Sequence, residues 1–476
     1  MFSGDQVISK IDLLKGLPPE WPEDLSAPLR RRIQNRSRKL VVLDDDPTGA
    51  QALHSAPVLT RWRSEVLHSA MRSASALFFI VSNTRSLPTN EAVAVTREIA
   101  SAVACAADES GVHIDILVWG DSTLRGHFPH ELNAVREILE VRGQHHDGVI
   151  LCPCFFEGGR LTAYDVQWVT EAENLVPAGQ TEYARDRVFG YTQSNIRHWV
   201  AEKTSGRISA DAVFSVPLDV IRNQGPRGVC QALMRVHQGQ PVVVNATSYR
   251  DLEVFTSGLL DAEDAGKRFL FRTAASFLKV RSGAVPRGLL RGTDFGISDG
   301  RGGLLIVGSY MEKATGQLHA ALARDNAIGI ELHVARILDS DRKDEETARI
   351  RRKIEEGLLA DKDVIVYTSR NRDLAGDLNA GRQIGASLVE IVGRLSVGPR
   401  YVIVKGGNTA ITVVRDGLQA DEAWALGQIL PGVPVWKLGP ESRLPGTPCV
   451  VFPGNVGSDN GLAETICILR EACNEI

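Results

Sequence analysis

The sequence predicts an α/β protein with two domains, each a largely parallel sheet flanked by helices. Short apolar segments alternate with helix-length stretches along most of the chain, which is typical of βαβ units. A stretch rich in Gly, Pro, Arg and Asp interrupts this alternation at residues 282–303, where we place a linker. The length of 476 residues also exceeds the size at which one hydrophobic core usually stops growing. The predicted domains are residues 1–290 and 300–476.

Short runs rich in Val, Ile and Leu predict the buried strands of both sheets. In the first domain, strands are predicted at residues 40–43, 77–81, 114–119, 149–152, 212–216 and 242–245, with helices at 91–107 and 129–141. In the second domain, strands are predicted at residues 304–307, 330–334, 363–367, 401–404 and 449–452, with helices at 345–359 and 382–397. Polar residues follow several of these strands directly, which is where open α/β sheets bind ligands.

Composition and charge narrow the class of protein. A formal net charge of −4 argues weakly against a nucleic-acid-binding surface. No apolar run is long enough to span a membrane, and the N-terminus lacks the basic-then-apolar order of a signal peptide. Seven scattered cysteines do not suggest a disulfide framework in a chain of this length. We therefore expect a cytoplasmic protein that binds neither nucleic acid nor membrane.

The most informative motif follows the first predicted strand. Residues 41–50 read Val-Val-Leu-Asp-Asp-Asp-Pro-Thr-Gly-Ala, so that an apolar run leads directly into acids. Adjacent carboxylates repel one another and are tolerated when water, a metal ion, a basic residue or a polyhydroxylated ligand shares the site. A plain surface turn would also use Asp, Pro and Gly. The apolar strand favours a ligand site, whose candidate residues are Asp44, Asp45 and Thr48.

Two further loops of the first domain combine hydroxyl groups with an arginine. They comprise residues 82–86 and 120–127, each directly after a predicted strand. Hydroxyl and carboxylate groups suit a ligand rich in OH groups, and a guanidinium suits a carboxylate or a phosphate. The alternative for the second loop is that Asp121 or Ser122 only caps a helical turn. The candidate substrate-binding residues of these loops are Arg85, Ser122 and Arg125.

The second domain has three glycine-rich turns between a strand and a helix. Residues 308–310 read Gly-Ser-Tyr, residues 405–409 read Lys-Gly-Gly-Asn-Thr, and residues 453–461 read Pro-Gly-Asn-Val-Gly-Ser-Asp-Asn-Gly. Glycine lets backbone N–H groups approach an anion, and Ser or Thr adds a donor. Three such turns favour a nucleotide, but no Walker loop is present and no Gly-x-Gly-x-x-Gly follows a strand, which disfavours a P-loop enzyme and an ordinary Rossmann dehydrogenase. The candidate nucleotide-binding residues are Ser309, Gly406, Gly407, Asn408, Thr409, Gly454, Asn455 and Gly457.

Seven segments of the chain carry recognisable motifs, at residues 44–49, 121–126, 177–182, 189–191, 405–409, 427–434 and 452–457. Together they resemble the signatures of the four-carbon acid sugar kinase family, in the same order and over nearly the whole chain. The resemblance implies an ATP-dependent kinase that phosphorylates the terminal hydroxyl of a tetronic acid such as threonate, erythronate or an oxo-tetronate. It also implies that the first domain holds the sugar acid, that the second holds ATP, and that the active site lies in the cleft between them.

The resemblance further implies roles for individual residues in the second domain. ATP contacts fall on Ser309, on residues 406–409 and on Gly454. Members of the family often have an acidic residue at the position of Asn408, so this chain departs from the family pattern there. Magnesium is implied by the ATP, because the charge on the phosphates must be screened, and its protein ligands stay unassigned.

The residues allow direct transfer of the γ-phosphoryl group, a reaction that depends on alignment and charge neutralisation. In this hypothesis Asp44 and Asp45 hold substrate hydroxyls. Arg125, or less favourably Arg85, binds the substrate carboxylate. Asp121 is the catalytic candidate, because an ionised carboxylate can accept the proton of the attacking hydroxyl, and Asp45 is the next candidate for that role.

Two other functions stay open. Asp44 and Asp46 after an apolar strand also fit a phosphatase of the haloacid dehalogenase type, in which the first acid is the nucleophile. That interpretation leaves the glycine-rich second domain without a role. A non-catalytic sugar-acid-binding protein would keep the polar loops of the first domain and need no nucleotide. The sequence also leaves open whether the chain forms a homodimer.

Overall fold

A computed structural model describes residues 6–36, 38–47, 49, 53–285, 287–297, 301–308, 312–369, 378–454 and 456–471. Three of the candidate site residues, Thr48, Ser309 and Asn455, lie outside the described residues.

The described residues form strands β1 (Ile8–Ser9), β2 (Arg38–Asp44), β3 (Ala56–Leu59), β4 (Leu77–Val81), β5 (His113–Trp119), β6 (Gly148–Cys152), β7 (Arg160–Ala163), β8 (Val166–Glu171), β9 (Asn174–Pro177), β10 (Phe214–Val216), β11 (Gln240–Val244), β12 (Phe269–Thr273), β13 (Leu304–Val307), β14 (Ala327–Leu332), β15 (Asp363–Thr368), β16 (Val402–Lys405), β17 (Glu422–Leu430), β18 (Val433–Leu438) and β19 (Pro448–Phe452). The α-helices are α1 (Lys10–Lys15), α2 (Ser26–Gln34), α3 (Ser64–Arg72), α4 (Thr89–Ser110), α5 (His130–Val141), α6 (Ile196–Lys203), α7 (Gly225–Met234), α8 (Tyr249–Asp264), α9 (Ala275–Arg281), α10 (Glu312–Leu322), α11 (Val334–Ile337), α12 (Lys343–Leu359), α13 (Leu378–Gly393), α14 (Gly407–Thr412) and α15 (Gly461–Glu471).

The chain forms two compact units, of which the first contains Met1–Asp45, Leu67–Phe78 and Thr84–Val285. Its main sheet has the strand order β10-β11-β6-β12-β5-β2, and each neighbouring pair is parallel. Leu43 of β2 pairs with Val118 of β5, so that the two strands end next to each other. Because parallel strands end at one edge of the sheet, the polar loops that follow β2 and β5 start side by side.

The first unit also contains an antiparallel sheet with the order β1-β9-β8-β7. Its core includes Leu13, Trp168 and Leu175, which are fully or almost fully buried. Strands β7 and β8 are joined through Tyr164 and Asp165, both with positive φ. The sequence-based prediction contains neither this sheet nor the strands β3, β12, β17 and β18.

The second unit contains Asp46–Val66, Phe79–Asn83 and Pro286–Ile476. Its strand order is β3-β17-β18-β19-β16-β13-β15-β14, in which the last five strands are parallel. Strands β17 and β18 run antiparallel to their neighbours. Strands β19, β16 and β13 are adjacent, and the three glycine-rich turns predicted from the sequence follow these three strands. The topology therefore brings the starts of the three turns to one edge of the sheet.

The predicted fold class is confirmed, and each predicted strand corresponds to a strand of the structure. The limits differ most at β10, which begins only at Phe214 because the preceding residues form a 3₁₀ turn, and at β14, which ends at Leu332 because α11 follows His333. The units do not divide the chain at a single point near residue 290. Two short early segments, Asp46–Val66 and Phe79–Asn83, belong to the second unit.

A substitution at Gly302, which lies just before β13, tests the backbone packing at this position. A Cβ atom at this position would overlap the carbonyl oxygen of Lys362. We expect Gly302→Ala to lower the free energy of unfolding by about 1–3 kcal/mol, because backbone must move to admit the methyl group. Denaturant unfolding of the purified variant measures the change. Gly381→Ala is the matched control, since the exposed Gly381 in α13 has open space around its Cβ position, and we expect no loss there. Equal effects of the two substitutions would contradict the prediction.

Candidate functional site

The loop after β5 is built around the buried side chain of Arg272. A Cβ atom on Gly120 would overlap the Arg272 guanidinium, so that glycine is required where the loop begins. Arg272 Nη2 donates to the carbonyl oxygen of Arg125 at 2.9 Å. Gly126 has a φ of 111°, which glycine adopts more readily than other residues, and Leu124 has a φ of 66°. The loop is therefore held in a strained conformation by a cation beneath it.

Asp121 is paired with Arg125 within this loop. Arg125 Nε donates to Asp121 Oδ2 at 2.7 Å, and the hydroxyl of Thr123 donates to the same oxygen. Burial acts to raise the pKa of Asp121, but the charges of Arg85 and Arg125 and the hydrogen bonds outweigh it and hold the pKa well below its usual range. Asp121 is therefore ionised at neutral pH.

Asp45 forms a second arginine–carboxylate pair with Arg85. Arg85 Nε lies 3.0 Å from Asp45 Oδ2 and Arg85 Nη2 lies 2.5 Å from Asp45 Oδ1, so the pair is bidentate. The Arg85 backbone N–H also donates to the Asp45 carbonyl at 3.3 Å. The charge of Arg85 acts on Asp121 as well. The structure thus brings together four residues that the sequence placed in three separate loops.

The other described candidate substrate residues, Asp44 and Ser122, are the chain neighbours of Asp45 and Asp121. Asp44 is the last residue of β2 and is fully buried. Ser122 follows Asp121, and its carbonyl oxygen accepts a hydrogen bond of 2.7 Å from Gln167 Nε2. The Tyr191 hydroxyl donates to the carbonyl oxygen of Thr123 at 2.7 Å. Residues outside the loop therefore hold its backbone in place.

The sequence-based prediction did not include Glu131 as a site residue. This buried residue of α5 accepts a hydrogen bond of 2.5 Å from the Thr84 hydroxyl, and the Thr84 carbonyl oxygen lies 3.0 Å from His127 Nε2. Burial and the nearby charge of Asp45 raise the pKa of Glu131 to about 7. Glu131 thus connects α5 to the turn that carries Arg85. The position of Glu131 in a helix did not indicate a site residue, because acidic residues in helices usually face solvent.

Tyr183 was also missed as a site residue. The Arg125 guanidinium lies 5.3 Å from the centre of the Tyr183 ring and the Arg160 guanidinium lies 5.5 Å from it. Arg160 Nη2 donates to the Tyr183 hydroxyl at 3.1 Å, and Arg125 Nη1 lies 3.7 Å from Asp186 Oδ2. The segment at 177–182 was recognised as a motif, and Tyr183 directly follows it.

The site of the first unit combines several arginine side chains with several carboxyl groups. Such a set can bind a ligand that carries both hydroxyl groups and a carboxylate, because carboxylates accept from hydroxyls and guanidinium groups hold an anion. Among the described residues, no group of three or more His, Cys, Asp or Glu side chains is arranged to hold a metal ion. The charged members of the site are Asp45, Arg85, Asp121, Arg125, Glu131, Arg160, Asp186 and Arg272.

In the second unit, the turns after β13 and β16 touch each other. A Cβ atom on Gly308 would overlap the side chain of Thr409, so the two turns meet without a side chain at Gly308. Gly406 has a φ of 114°, and its N–H donates to the Phe452 carbonyl at 2.8 Å. Glycine at this position lets the chain turn directly into α14, where Gly407 is the first residue.

The third turn is held by two polar side chains from other elements. Lys405 Nζ donates to the carbonyl oxygens of Pro453 at 2.7 Å and Gly454 at 3.3 Å. Gln317 of α10, which is fully buried, donates from Nε2 to the carbonyl oxygens of Val456 and Ser458 at 3.0 Å and 2.6 Å. Gly457 lies beside the same amide. The described nucleotide-binding candidates therefore come together at one edge of the sheet.

The acidic run of residues 44–46 is divided between the two units. Asp46 belongs to the second unit, where a Cβ atom on Gly407 would lie 3.5 Å from Asp46 Oδ1 and 3.6 Å from Pro47 Cγ. The carboxylate of Asp46 therefore lies beside the turn of residues 405–409, which contains Asn408 and no acidic residue of its own.

The family model described as a sugar-binding N-terminal domain matches residues 40–281, more than half of the chain. The chain belongs to this family. A second family model, described as a nucleotide-binding C-terminal domain, matches residues 304–462. The arginine–carboxylate pairs of this sugar-binding family member fall in the first match, and the three glycine-rich turns fall in the second. Sugar binding and nucleotide binding are therefore assigned to the two domains in the order expected from the sequence.

Two solved structures share the fold of this family member. A protein from Haemophilus influenzae has 17% identity and a TM-score of 0.65, with 90% of this chain and 100% of that chain covered. A protein from Salmonella typhimurium LT2, provisionally described as a tRNA synthase, has 17% identity and a TM-score of 0.65, with coverage of 90% and 98%. At this level of identity the similarity establishes the fold alone. No curated protein matches the chain. None of the described helices is both long and apolar enough to cross a membrane.

Replacement of Glu131 by Gln tests the charge balance of the first-unit site. The pKa of Glu131 is raised from 4.5 to about 7, so between these values the folded protein keeps a proton that the unfolded chain releases. The stability of the wild type should fall relative to Glu131→Gln as pH rises through this window, by at most about 1.4 kcal/mol for each pH unit. The glutamine oxygen can still accept from Thr84.

Unfolding midpoints of both proteins between pH 5 and pH 8 measure this difference, which should level off above pH 7. Glu137→Gln, at an exposed position of the same helix, is the control and should show no such trend. A stability difference between the wild type and Glu131→Gln that stays constant over the whole range would refute the assignment.

Proposed function

We propose that the chain is an ATP-dependent kinase that phosphorylates the terminal hydroxyl of a four-carbon acid sugar, such as threonate, erythronate or an oxo-tetronate. The proposal is carried by the two neighbouring arginine–carboxylate pairs, Asp45–Arg85 and Asp121–Arg125, in a domain of a sugar-binding family. An acid sugar presents hydroxyls and a carboxylate, the two groups that such pairs bind. The match of the second domain to a nucleotide-binding family supports ATP as the donor.

Arg125 is better suited than Arg85 to bind the substrate carboxylate. Arg85 already holds both oxygens of the buried Asp45. Arg125 uses Nε for Asp121, but its Nη1 lies 3.7 Å from Asp186, which is too long for a hydrogen bond. A quarter of the Arg125 side chain is exposed. A ligand carboxylate could therefore replace the contact with Asp186 at little cost, since such partly exposed pairs contribute little.

The carboxylates and hydroxyls of the same loops would hold the polyol part of the substrate. Asp44 ends β2 and Asp45 follows it, and we assign the substrate hydroxyls to them together with Thr48 and Ser122. The buried Arg272 keeps the loop after β5 in one conformation, so these groups need little rearrangement to bind.

Asp121 would accept the proton of the attacking hydroxyl. Its carboxylate is ionised at neutral pH, because Arg85 and Arg125 hold its pKa low. A low pKa makes it a weak base, but phosphoryl transfer through a loose transition state depends on orientation more than on base strength. The hydroxyl would be aligned by a hydrogen bond to Asp121 and would lose its proton late in the reaction.

ATP would bind at the three turns after β13, β16 and β19. The residues assigned to it are Ser309, Gly406, Gly407, Asn408, Thr409, Gly454, Asn455 and Gly457. Backbone N–H groups of the glycine turns would face the phosphates. Bound magnesium would neutralise phosphate charge, and the carboxylate of Asp46 beside Gly407 fits it as a hard oxygen ligand.

A substrate panel tests the proposal as a whole. The purified protein is incubated with ATP, Mg²⁺ and each of several four-carbon acids, with a six-carbon sugar acid for comparison, and ADP formation is measured. We expect turnover with at least one tetronic acid and none without acceptor. Phosphate release from a generic phosphomonoester without ATP would instead support the phosphatase alternative. Acid binding without affinity for an ATP analogue would support a non-catalytic sugar-acid-binding protein.

Asp121→Asn tests the assigned proton acceptor. With the preferred acid, we expect kcat to fall about 10²–10⁴-fold, because the amide cannot take the proton. Steady-state kinetics measure kcat and KM, and thermal unfolding verifies the fold. Asp211→Asn, at a fully exposed position of the same unit, should leave the kinetics unchanged. Near-normal turnover of a folded Asp121→Asn protein would transfer the role to Asp45.

A further inference from the structure

The end of β16 contains a buried lysine that the proposed mechanism does not use. Lys405 is fully buried, and its hydrogen bonds to described residues go to the carbonyl oxygens of Pro453 and Gly454. Its ammonium lies 4.2 Å from the centre of the Phe452 ring. The side chain thus reaches from the turn after β16 to the turn after β19, two of the three turns assigned to the nucleotide.

No carboxylate of the described residues forms an ion pair with Lys405. Its partners are neutral carbonyl oxygens and an aromatic ring. A buried ammonium without a counter-charge is costly, and buried charges in proteins are usually paired. The charged group of the described residues that acts on it is Lys313 in the first turn of α10, which repels it. Among the described residues, Lys405 is thus repelled by Lys313 and has no carboxylate in an ion pair, and an anion bound at the turns would balance its charge.

We propose that Lys405 is a positioning residue of the nucleotide site, whose ammonium both fixes the turn at Pro453 and Gly454 and is balanced by the phosphates of the bound nucleotide. This inference rests on the proposed binding of ATP at the three turns. The phosphates need not touch Lys405, because attraction between charges in a site with little water acts over several ångströms. An anion at the turns would then make the charged form of Lys405 more stable.

Lys405 makes nucleotide binding dependent on pH. Burial, with a further effect from Lys313, lowers the pKa of Lys405 to about 7 in the nucleotide-free protein. Above pH 7 the side chain is mostly neutral, so nucleotide binding must be accompanied by uptake of a proton. Affinity should therefore weaken as pH rises above 7, by up to tenfold for each pH unit. The last phosphate proton dissociates with a pKa of about 6, so above pH 7.5 the charge of ATP itself is constant.

Titration calorimetry with ATP, without sugar acid, measures this linkage on the full-length protein. The experiment is run between pH 7.5 and 9 in two buffers that differ in ionisation enthalpy, so the heat reports the number of protons taken up. We expect uptake of up to one proton and a falling affinity. Lys405→Met should bind ATP about 10–100-fold more weakly at pH 7.5 and lose the pH dependence. Lys313→Met removes the repulsion and should move the pH dependence to higher pH.

Lys437→Met, at an exposed position of β18, is the matched control and should behave as the wild type. If the wild type binds ATP with no proton uptake and a flat pH profile, the role of Lys405 is refuted while nucleotide binding stands. If the wild type does not bind ATP at all, the proposed function fails, and the inference fails with it. The wild-type data decide the question even if Lys405→Met does not fold.

Discussion

The carboxylates of Asp45 and Asp121 in the first unit each have a guanidinium beside them, and these two pairs arrange the loops at the edge of its sheet. Asp45 and Asp121 follow the ends of β2 and β5, two adjacent parallel strands, where uncompensated negative charge would be costly. Arg85 and Arg125 contact them from the loops, and the charge of the buried Arg272 acts on both. The strained backbone at Leu124 persists because these contacts hold the loop on both sides.

One carboxyl group of this site, that of Glu131, is neutralised by a proton. Glu131 lies close to Asp45, and burial together with that charge keeps its carboxyl group protonated over a wide pH range. The proton substitutes for a further cation. Strongly perturbed pKa values of this kind cluster at functional sites.

Among the described residues, the candidate nucleotide site of the second unit contains few charged side chains. Its three turns approach each other through glycine and through carbonyl oxygens, and Gln317 and Lys405 join them. Backbone groups suit the phosphates of a nucleotide, which are the same in every nucleoside triphosphate. Side-chain pairs suit a sugar acid, whose identity depends on the positions of hydroxyls and a carboxylate. The two families to which the domains match correspond to this difference.

The apolar strands and the polar residues after them could be predicted from the sequence, because strand length and burial depend on local pattern. The residue types of Asp45, Arg85, Asp121 and Arg125 indicated charged loops at these strand ends, and the binding roles of the four residues stay predictions. Cytoplasmic location, magnesium and the identity of the acid stay predictions.

Local sequence pattern was sufficient to predict the α/β class and the strand ends that hold polar groups, and the resemblance of the motifs indicated the order of a sugar-binding and a nucleotide-binding part. The folded chain was needed to show which arginine pairs with which acid, that Asp46 lies beside Gly407, and that Glu131, Tyr183 and Lys405 contact the candidate sites. Pairing and burial depend on contacts between residues far apart in the chain. A helix acid or a strand lysine has no local pattern that shows which charge it will face.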